Sequence, residues 1–456
     1  MAQVEQKLFV FAHLDGEWVP CGRLSLLEEG PRLLASNFAY GLRYLERRSN
    51  LEIDPVALNL RDKTTVRGKE LFPPNDLAFF GAIRDAAPEA WGRRVIEARL
   101  RVPANSLPES RYLVYAGGQR AGALAIRRTL SDAAGSGRGD WNDLEMLVDG
   151  AEKIDAGLPV PESLEAIFHL GTALGGKRPK ASVRDKQGVL WLAKFSSCTD
   201  TVSVPTVEGA TLELAAEAGL HVPPMKLLSL DGRMILLSRR FDRYWGAPGI
   251  DATEELQDDE ELQEDLSALA PGPGMVEKRL AFISAQTLLA TREGESSAAS
   301  YGQIAQAIRR YCHPDVIRVD NRELFARMIY NIFVSNGDDH LRNHGFVWDP
   351  RLPGWRLSPL YDVMPQPSLG KERQLHLGVG AQGRAATLDN AYGARELFTL
   401  TADDAGAIVA DIWSKVQNWR GFFEDFGVLP DDLDQIAPAF RHIDDISTVE
   451  LRAQLS

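Results

Sequence analysis

Apolar positions recur along this chain with two different spacings, and each spacing predicts a type of element. Residues 7–24 hold two apolar runs joined by Asp15-Gly16, which predicts a β-hairpin. Residues 76–100 carry apolar side chains at helical spacing, which predicts a helix. The same spacing predicts three further helices, at 277–291, 321–335 and 401–420. The helix at 321–335 has two adjacent apolar rows, so we expect it to be deeply buried.

The middle of the chain mixes strand and helix patterns. The run VLWLAKF at 189–195 predicts an apolar strand that ends in a lysine, and MILLSRRFDR at 234–243 predicts another strand. Residues 208–219 predict a helix closed by a glycine. The small, polar and Gly-rich residues 131–140 predict a linker, which places a first domain boundary there or slightly after.

Composition narrows the class of protein. The chain has 456 residues, 51 Lys+Arg against 64 Asp+Glu, a net charge of −13 and 3 Cys. The acidic balance disfavours broad binding to nucleic-acid phosphates, and the scattered cysteines support neither a zinc ribbon nor a disulfide framework. Because the sequence has no apolar run of about 18 residues and no secretory signal, we expect a cytoplasmic protein without a membrane span. Much of the acidity falls in 251–265, which we interpret as a solvated insertion.

The segment SNGDDHLRNHGF at 335–346 carries the most informative chemistry. We expect the apolar helix before it to deliver Asp338 and Asn343 into a loop. An aspartate followed five residues later by an asparagine suits phosphoryl transfer, because the aspartate accepts the proton of the attacking hydroxyl and the asparagine oxygen binds Mg²⁺. Asp362 follows a short strand and is a candidate for a second metal site. The alternative is that this segment is only a helix-terminating turn.

A second region supplies what ATP binding requires. Gly175 and Gly176 let backbone amides approach phosphates, and Lys180 adds positive charge. Lys194 ends an apolar strand, where a lysine either contacts the α- and β-phosphates or extends to water. Glu208 opens the next predicted helix, where it either pairs with Lys194 or is favoured by the helix dipole.

Together these motifs resemble a known family. The strings GGKRPKA, WLAKF, RRFDR, RMIYNIFVSNGDDHLRNHGF and LSPLYDV, in this order, resemble the HipA-type serine/threonine kinases, the toxins of bacterial type II toxin–antitoxin modules. The string FFGAIRDAAPEAWGRR at 79–94 resembles the N-terminal subdomain of that family. The resemblance implies an α+β fold with a β-rich N-terminal subdomain at 1–145. A protein-kinase-like two-lobed catalytic region would follow, with a mixed β/α N-lobe at 146–245 and a mainly helical C-lobe at 246–456.

The resemblance also implies roles for single residues. Asp338 would be the catalytic base, Asn343 and Asp362 the magnesium ligands, and Lys194 the lysine that contacts the ATP phosphates. The phosphate loop, the adenine hinge and two pocket residues would complete the nucleotide site: Gly175, Gly176, Lys177, Arg178, Pro179, Lys180, Arg239, Arg240, Phe241, His340 and Tyr361. Well-studied members carry an autophosphorylated serine just ahead of the loop. Here that stretch reads Gly171-Thr172-Ala173-Leu174, so Thr172 is the only hydroxyl available there.

The implied activity is ATP- and Mg²⁺-dependent phosphorylation of a serine or threonine on a protein, with aminoacyl-tRNA synthetases as the family's target class and slower translation as the result. The implied partner is a small helix-turn-helix antitoxin, through which alone the chain would reach DNA. Two other classes stay open. One is a catalytically weak HipA-like corepressor that acts with the antitoxin. The other is a metal-dependent hydrolase, because His340 and His344 have the i,i+4 spacing of helical metal sites.

Overall fold

The N-terminal part is built around an antiparallel sheet with the strand order β3-β2-β1-β4. Its strands are β1 (Gln3–Leu14), β2 (Glu17–Glu29), β3 (Arg32–Tyr40) and β4 (Leu124–Arg127). The computed structural model describes residues 2–132, 140–171, 175–249, 265–268, 270–368, 370 and 372–455. The predicted hairpin is confirmed, since Asp15 and Gly16 have φ values of 50° and 85°, which a two-residue turn between β1 and β2 requires.

Short helices connect β3 to β4. They are α1 (Leu42–Leu45), α2 (Lys63–Val66), α3 (Gly81–Asp85), α4 (Ala90–Leu100) and α5 (Glu109–Tyr115). The single helix predicted over 76–100 is therefore wrong: α3 and α4 are separate helices. Pro88 lies between them, and a proline lacks the amide hydrogen of a continuous helix and disfavours helical backbone in the residue before it.

A second antiparallel sheet has the order β5-β6-β8-β7. Its strands are β5 (Lys180–Arg184), β6 (Leu190–Lys194), β7 (Met225–Leu230) and β8 (Arg233–Arg239). Helices α4, α6 (Leu144–Asp155) and α7 (Ile167–Leu170) contribute to a small apolar core with this sheet, whereas α8 (Val204–Glu217) joins a larger core. The predicted strands at 189–195 and 234–243 and the helix at 208–219 are confirmed, with bounds shifted by a few residues.

Five strands follow β8 in the described part of the chain, and two of them overlap 277–291, where the sequence predicted a helix. They are β9 (Arg243–Gly246), β10 (Val276–Arg279), β11 (Phe282–Ser284), β12 (Gly345–Asp349) and β13 (Gly354–Leu357). The helix predicted at 277–291 is wrong, and only α9 (Ala285–Leu288) is α-helical there. β10 pairs with β9, and β11 pairs with β12, so pairing with strands distant in sequence overrides the local helical spacing.

The C-terminal part is helical. Its helices are α10 (Tyr301–Tyr311), α11 (Ile317–Val334), α12 (Leu388–Gly393), α13 (Ala402–Val416), α14 (Trp419–Phe426), α15 (Pro430–Ile436), α16 (Ile443–Ile446) and α17 (Val449–Leu455). The deeply buried helix predicted at 321–335 is α11, where Leu324, Phe325 and Met328 are fully buried. The helix predicted at 401–420 divides into α13 and α14. None of the helices among the described residues has the length and apolarity needed to cross a membrane.

One large apolar core joins the N-terminal sheet to the C-terminal helices. Two other expectations fall largely outside the described residues: the linker, of which 133–139 are not described, and the acidic run, of which 251–264 are not described. The domain boundaries at 145 and 245 stay predictions.

A buried ionic contact fastens the N-terminal part to β8 and β9. Oδ2 of Asp242 lies 2.6 Å from Nη2 of Arg240 and 2.7 Å from Nη1 of Arg243. The same oxygen accepts a hydrogen bond of 2.7 Å from the amide of Gly122. Both arginines also donate to the carbonyl oxygen of Arg120, at 3.1 and 2.8 Å. Burial alone raises the pKa of Asp242, but the two guanidinium groups hold that pKa well below its usual range.

Replacing Asp242 with alanine leaves two buried arginines without their shared carboxylate. We expect the D242A variant to lose about 3–5 kcal/mol of unfolding free energy, the usual cost of breaking a buried ion pair from one side. Urea denaturation followed by tryptophan fluorescence measures this loss. The matched control is D149A, which removes a more exposed partner of Arg233 and costs below about 1 kcal/mol. Equal losses in the two variants would contradict a fastening role for Asp242.

Candidate functional site

The site is centred on the ammonium group of Lys194 at the end of β6. Its Nζ donates to Glu208 on α8, and it lies 2.9 Å from Oδ1 of Asp362. Glu208 is buried, while the side chain of Asp362 is 44% exposed. Lys194 therefore does not extend into water, and it joins three segments that are distant in sequence.

The charges of this group depend on one another. Lys194 holds the pKa of Asp362 well below its usual range, so the carboxylate stays ionised at neutral pH. Burial lowers the pKa of Lys194, but Asp362 and Glu208 together outweigh burial and raise it. Burial raises the pKa of Glu208, which Lys194 opposes. The pKa of Glu208 stays raised overall, so Lys194 and the ionised Asp362 form an ion pair beside a glutamate that accepts a hydrogen bond from the lysine.

Lys180 adds a second cation beside Lys194. The two lysines are directly paired in the antiparallel register of β5 and β6, so their side chains leave the same face of the sheet. Burial lowers the pKa of Lys180, whereas Asp362 raises it. Gly176 has a φ of 83°, and a β-carbon there would lie 2.6 Å from Nζ of Lys180. The glycine therefore permits both the turn and the close approach of the lysine.

The start of α4 contacts residues 175–180, which we call the glycine loop. The amide of Trp91 donates to the carbonyl of Gly176 at 3.0 Å, and its indole Nε1 donates to the carbonyl of Lys180 at 2.8 Å. Arg94 donates to the carbonyl of Lys177 at 2.7 Å. The amide of Gly176 donates to Oε2 of Glu89 at 2.5 Å. The string PEAWGRR thus supplies a support for the loop that the local patterns did not reveal.

The loop after α11 carries the predicted catalytic residues. Ser335 ends the helix in the left-handed conformation with a φ of 51°. Asp338 is exposed, and its carbonyl oxygen accepts hydrogen bonds from the amide of His340 at 2.8 Å and from Nδ2 of Asn343 at 3.1 Å. Because Nδ2 is used within the loop, Oδ1 of Asn343 is the atom available to a metal ion.

A buried polar network centred on Asp339 holds the loop after α11 in position. Asp339 accepts hydrogen bonds from the hydroxyl of Tyr301 and from Nδ2 of Asn331 at 2.8 Å, and it lies 2.9 Å from Nε2 of His344. Burial raises the pKa of Asp339, but His344, the hydroxyl of Tyr301 and His340 together outweigh burial and lower the value overall. Sequence reasoning named the exposed Asp338 and missed the role of its buried neighbour, because Tyr301 is far away in sequence.

The Asp362 turn is joined to the catalytic loop and to the hinge segment. Asp362 has a φ of 61°, a strained value for a residue with a β-carbon. The hydroxyl of Tyr361 donates to the carbonyl of Arg342 at 2.6 Å. The Tyr361 ring stacks on Phe241 with centroids 5.5 Å apart. Phe241 and Tyr361 thus form one aromatic wall, while His340 acts on Asp362 electrostatically and lowers its pKa.

Other predicted nucleotide residues have structural partners. Arg240 is engaged by Asp242, and Nη1 of Arg239 donates to the carbonyl of Ala268 at 2.9 Å. Arg178 pairs with Asp200, and the carbonyl of Pro179 accepts from the amide of Phe195 at 3.0 Å. The guanidinium groups of Arg240 and Arg178 are therefore paired with carboxylates of the protein itself. Thr172 lies outside the described residues.

The arrangement of His340 and His344 differs from a metal-binding pair. His344 is fully buried with Nε2 beside Asp339, whereas the ring of His340 meets His376 edge-on with centroids 6.0 Å apart. Across the described residues, no three His, Cys, Asp or Glu side chains come together as a metal site.

Comparison with known proteins identifies the family of the chain. The sequence model of the HipA-like C-terminal domain matches residues 172–420, more than half of the chain. The chain belongs to the HipA-like family. A HipA protein of Shewanella oneidensis, solved with HipB and operator DNA, has a similar fold, with a TM-score of 0.60 at 14% identity over 98% of this chain and 95% of that chain.

Two curated relatives carry kinase names. This HipA-like chain is 24% identical over 355 residues to "Putative kinase Y4mE" of Sinorhizobium fredii, covering 75% of each chain. It is 28% identical over 170 residues to a "Putative kinase" of Haemophilus influenzae, covering 36% of this chain and 42% of that protein. The chain is thus a HipA-like, kinase-related protein with a mixed α/β fold.

Replacing Lys194 with methionine tests the electrostatic set. Since Lys194 is the main cause of the low pKa of Asp362, we expect the K194M variant to raise that pKa toward the usual aspartate value of about 4. In the wild type the Asp362 carboxylate stays ionised well below pH 4, whereas the variant protonates near that pH. Carboxyl-carbon NMR titration measures the change. The control K186M, in an exposed turn, leaves the titration of Asp362 unchanged, and an unchanged titration in K194M as well would contradict the assignment.

Proposed function

We propose that this HipA-like chain is an ATP- and Mg²⁺-dependent protein kinase that transfers the γ-phosphoryl group of ATP to a serine or threonine hydroxyl. The observation that carries the proposal is the double ion pair of Lys194 with Glu208 and Asp362. A strand lysine oriented by a helix glutamate is the arrangement that presents a fixed positive charge to nucleotide phosphates.

The proposed roles follow from position and charge. Lys180 and Lys194, side by side on one face of the sheet, attract the phosphates of ATP. Asp338 is exposed and accepts the proton of the attacking hydroxyl. Phe241 and Tyr361 offer an aromatic wall to the adenine base. The buried network under Asp339 holds the base-bearing loop in one conformation.

The residues present fit a magnesium ion. Oδ1 of Asn343 and the carboxylate of Asp362 are hard oxygen donors, and Asp362 stays ionised beside Lys194. Mg²⁺ prefers such sparse oxygen ligation, with water and phosphate oxygens as its other ligands. When bound, the ion neutralises negative charge that develops on the phosphates.

The substrate and partner belong to the same proposal. The resemblance stated above supports a protein substrate of the aminoacyl-tRNA synthetase class and restraint of translation as the outcome. The Shewanella HipA was solved with HipB and operator DNA, which supports a small DNA-binding antitoxin as the partner of this chain. A net charge of −13 disfavours DNA binding without that partner.

A second candidate function is corepression with weak or no catalysis. The operator complex of the Shewanella relative favours it, because that assembly is a DNA-bound one. The two functions differ in their dependence on Asp338: kinase activity requires its carboxylate, and corepression does not.

Incubation of the protein with γ-labelled ATP, Mg²⁺ and cell lysate tests the proposal. We expect wild type to label one or a few lysate proteins on serine or threonine, and D338A to reduce the rate by about 10²-fold or more, because the general base is lost. D403A, which removes an exposed aspartate in the first turn of α13, is the control and retains the wild-type rate.

Full labelling by D338A would overturn the catalytic assignment. If wild type labels nothing, and both proteins repress an operator reporter equally together with the antitoxin, corepression is the function.

A further inference from the structure

Glu89 lies between the glycine loop and the catalytic loop, although it belongs to neither. Its Oε2 accepts the amide of Gly176 at 2.5 Å, and its Oε1 pairs with Nη1 of Arg342 at 2.7 Å. Arg342 stands between Asp338 and Asn343 in sequence. One carboxylate from the N-terminal part therefore contacts both loops of the proposed kinase site.

Arg342 extends this connection to the third segment of the site. Its carbonyl accepts the hydroxyl of Tyr361, next to Asp362, at 2.6 Å. Its guanidinium also contacts Glu293 and Oε1 of Gln286, the latter at 3.1 Å. Glu89 and Arg342 are both less than one-third exposed, so the pair is only partly screened by water. Burial raises the pKa of Glu89, but Arg342, the amide of Gly176 and Lys180 together outweigh burial and lower it, which keeps the carboxylate charged.

We propose that Glu89 is a positioning residue for phosphoryl transfer, which through Arg342 fixes the catalytic loop relative to the glycine loop. The inference rests on the proposed kinase function. Glu89 touches no reacting atom in it; it sets the distance between the ATP phosphates and the base on Asp338. The N-terminal part of the chain thereby becomes a component of the catalytic geometry.

The other contacts of the glycine loop explain why Glu89 positions the loop rather than competing with ATP. Trp91 and Arg94, in the same helix, already hold the carbonyls of Gly176, Lys177 and Lys180. The bond from Glu89 to the amide of Gly176 completes this set. A carboxylate that left the loop to admit a phosphate would also take a negative partner away from the guanidinium of Arg342.

Two substitutions separate the contacts of Glu89. E89Q retains an oxygen for the amide of Gly176 but loses the charge that faces Arg342, so we expect kcat to fall about 10- to 100-fold while KM for ATP changes less than about threefold. E89A loses both contacts, so KM for ATP rises as well. Initial rates of labelling of the lysate protein that wild type phosphorylates, at varied ATP, give both parameters.

The matched control is E109Q. Glu109 pairs with Arg93 of α4 at 2.7 Å and is similarly shielded, but this pair touches neither loop. If E89Q acted only by weakening the structure, E109Q would lower kcat to the same extent. Because the Glu109–Arg93 pair touches neither loop, we instead expect E109Q to keep the wild-type kcat. The double variant E89R/R342E restores an opposite-charge pair, and we expect it to recover kcat relative to E89R alone.

Amide hydrogen exchange of the nucleotide-free protein provides a readout that does not depend on activity. We expect E89Q to speed exchange in residues 338–343 and E89A to speed it in 176–180 as well, with neither change in E109Q. A kcat for E89Q equal to that of E109Q, or exchange in 338–343 unchanged, overturns the inference and leaves the kinase proposal intact. Absence of ATP-dependent labelling by wild type overturns the kinase proposal itself, and with it the positioning role of Glu89.

Discussion

A single ammonium group, that of Lys194, allows two carboxylates to share a largely buried space. Glu208 on α8 and Asp362 in its strained turn would repel each other without it, and burial would favour neutralising one of them. The lysine between them keeps Asp362 ionised and opposes the rise that burial causes in the pKa of Glu208. Lys194 therefore adds an electrostatic link between β6, α8 and the Asp362 turn to the apolar packing of α8.

The N-terminal part takes part in the same organisation through separate contacts. α4 holds the glycine loop, Glu89 meets Arg342, and Asp242 draws two arginines toward the carbonyl of Arg120. The apolar core is likewise continuous from the first sheet to the last helices. The sequence match to the HipA-like C-terminal domain begins at residue 172, but the physical support of the site begins near residue 89.

The elements that the sequence predicts correctly are set by residues a few positions apart in the chain. The hairpin at Asp15-Gly16 and the buried helix α11 follow from turn chemistry and from apolar spacing within a few residues, and both are confirmed. The helix expected at 277–291 failed because β10 and β11 obtain their partners from distant strands. The chain order of the motifs identified the family, which the comparisons bear out.

In the candidate site, too, the sequence reveals local features but not contacts between residues that are far apart in the chain. Asp338 and Asn343 stand out because they follow an apolar helix, and Lys194 because it ends an apolar strand; their catalytic roles stay predictions. Glu89 and the Asp339 network gave no local signal, since an ion pair or hydrogen bond between residues far apart leaves no periodicity in the sequence. The order of these segments along the chain also determines when the site can form during synthesis. Asp362 leaves the ribosome after Lys194 by on the order of ten seconds or more at about 5–20 residues per second, so a nascent or prematurely terminated chain lacks the completed charge set. The contact between Lys194 and Asp362 therefore forms only after the segment that carries Asp362 has been translated.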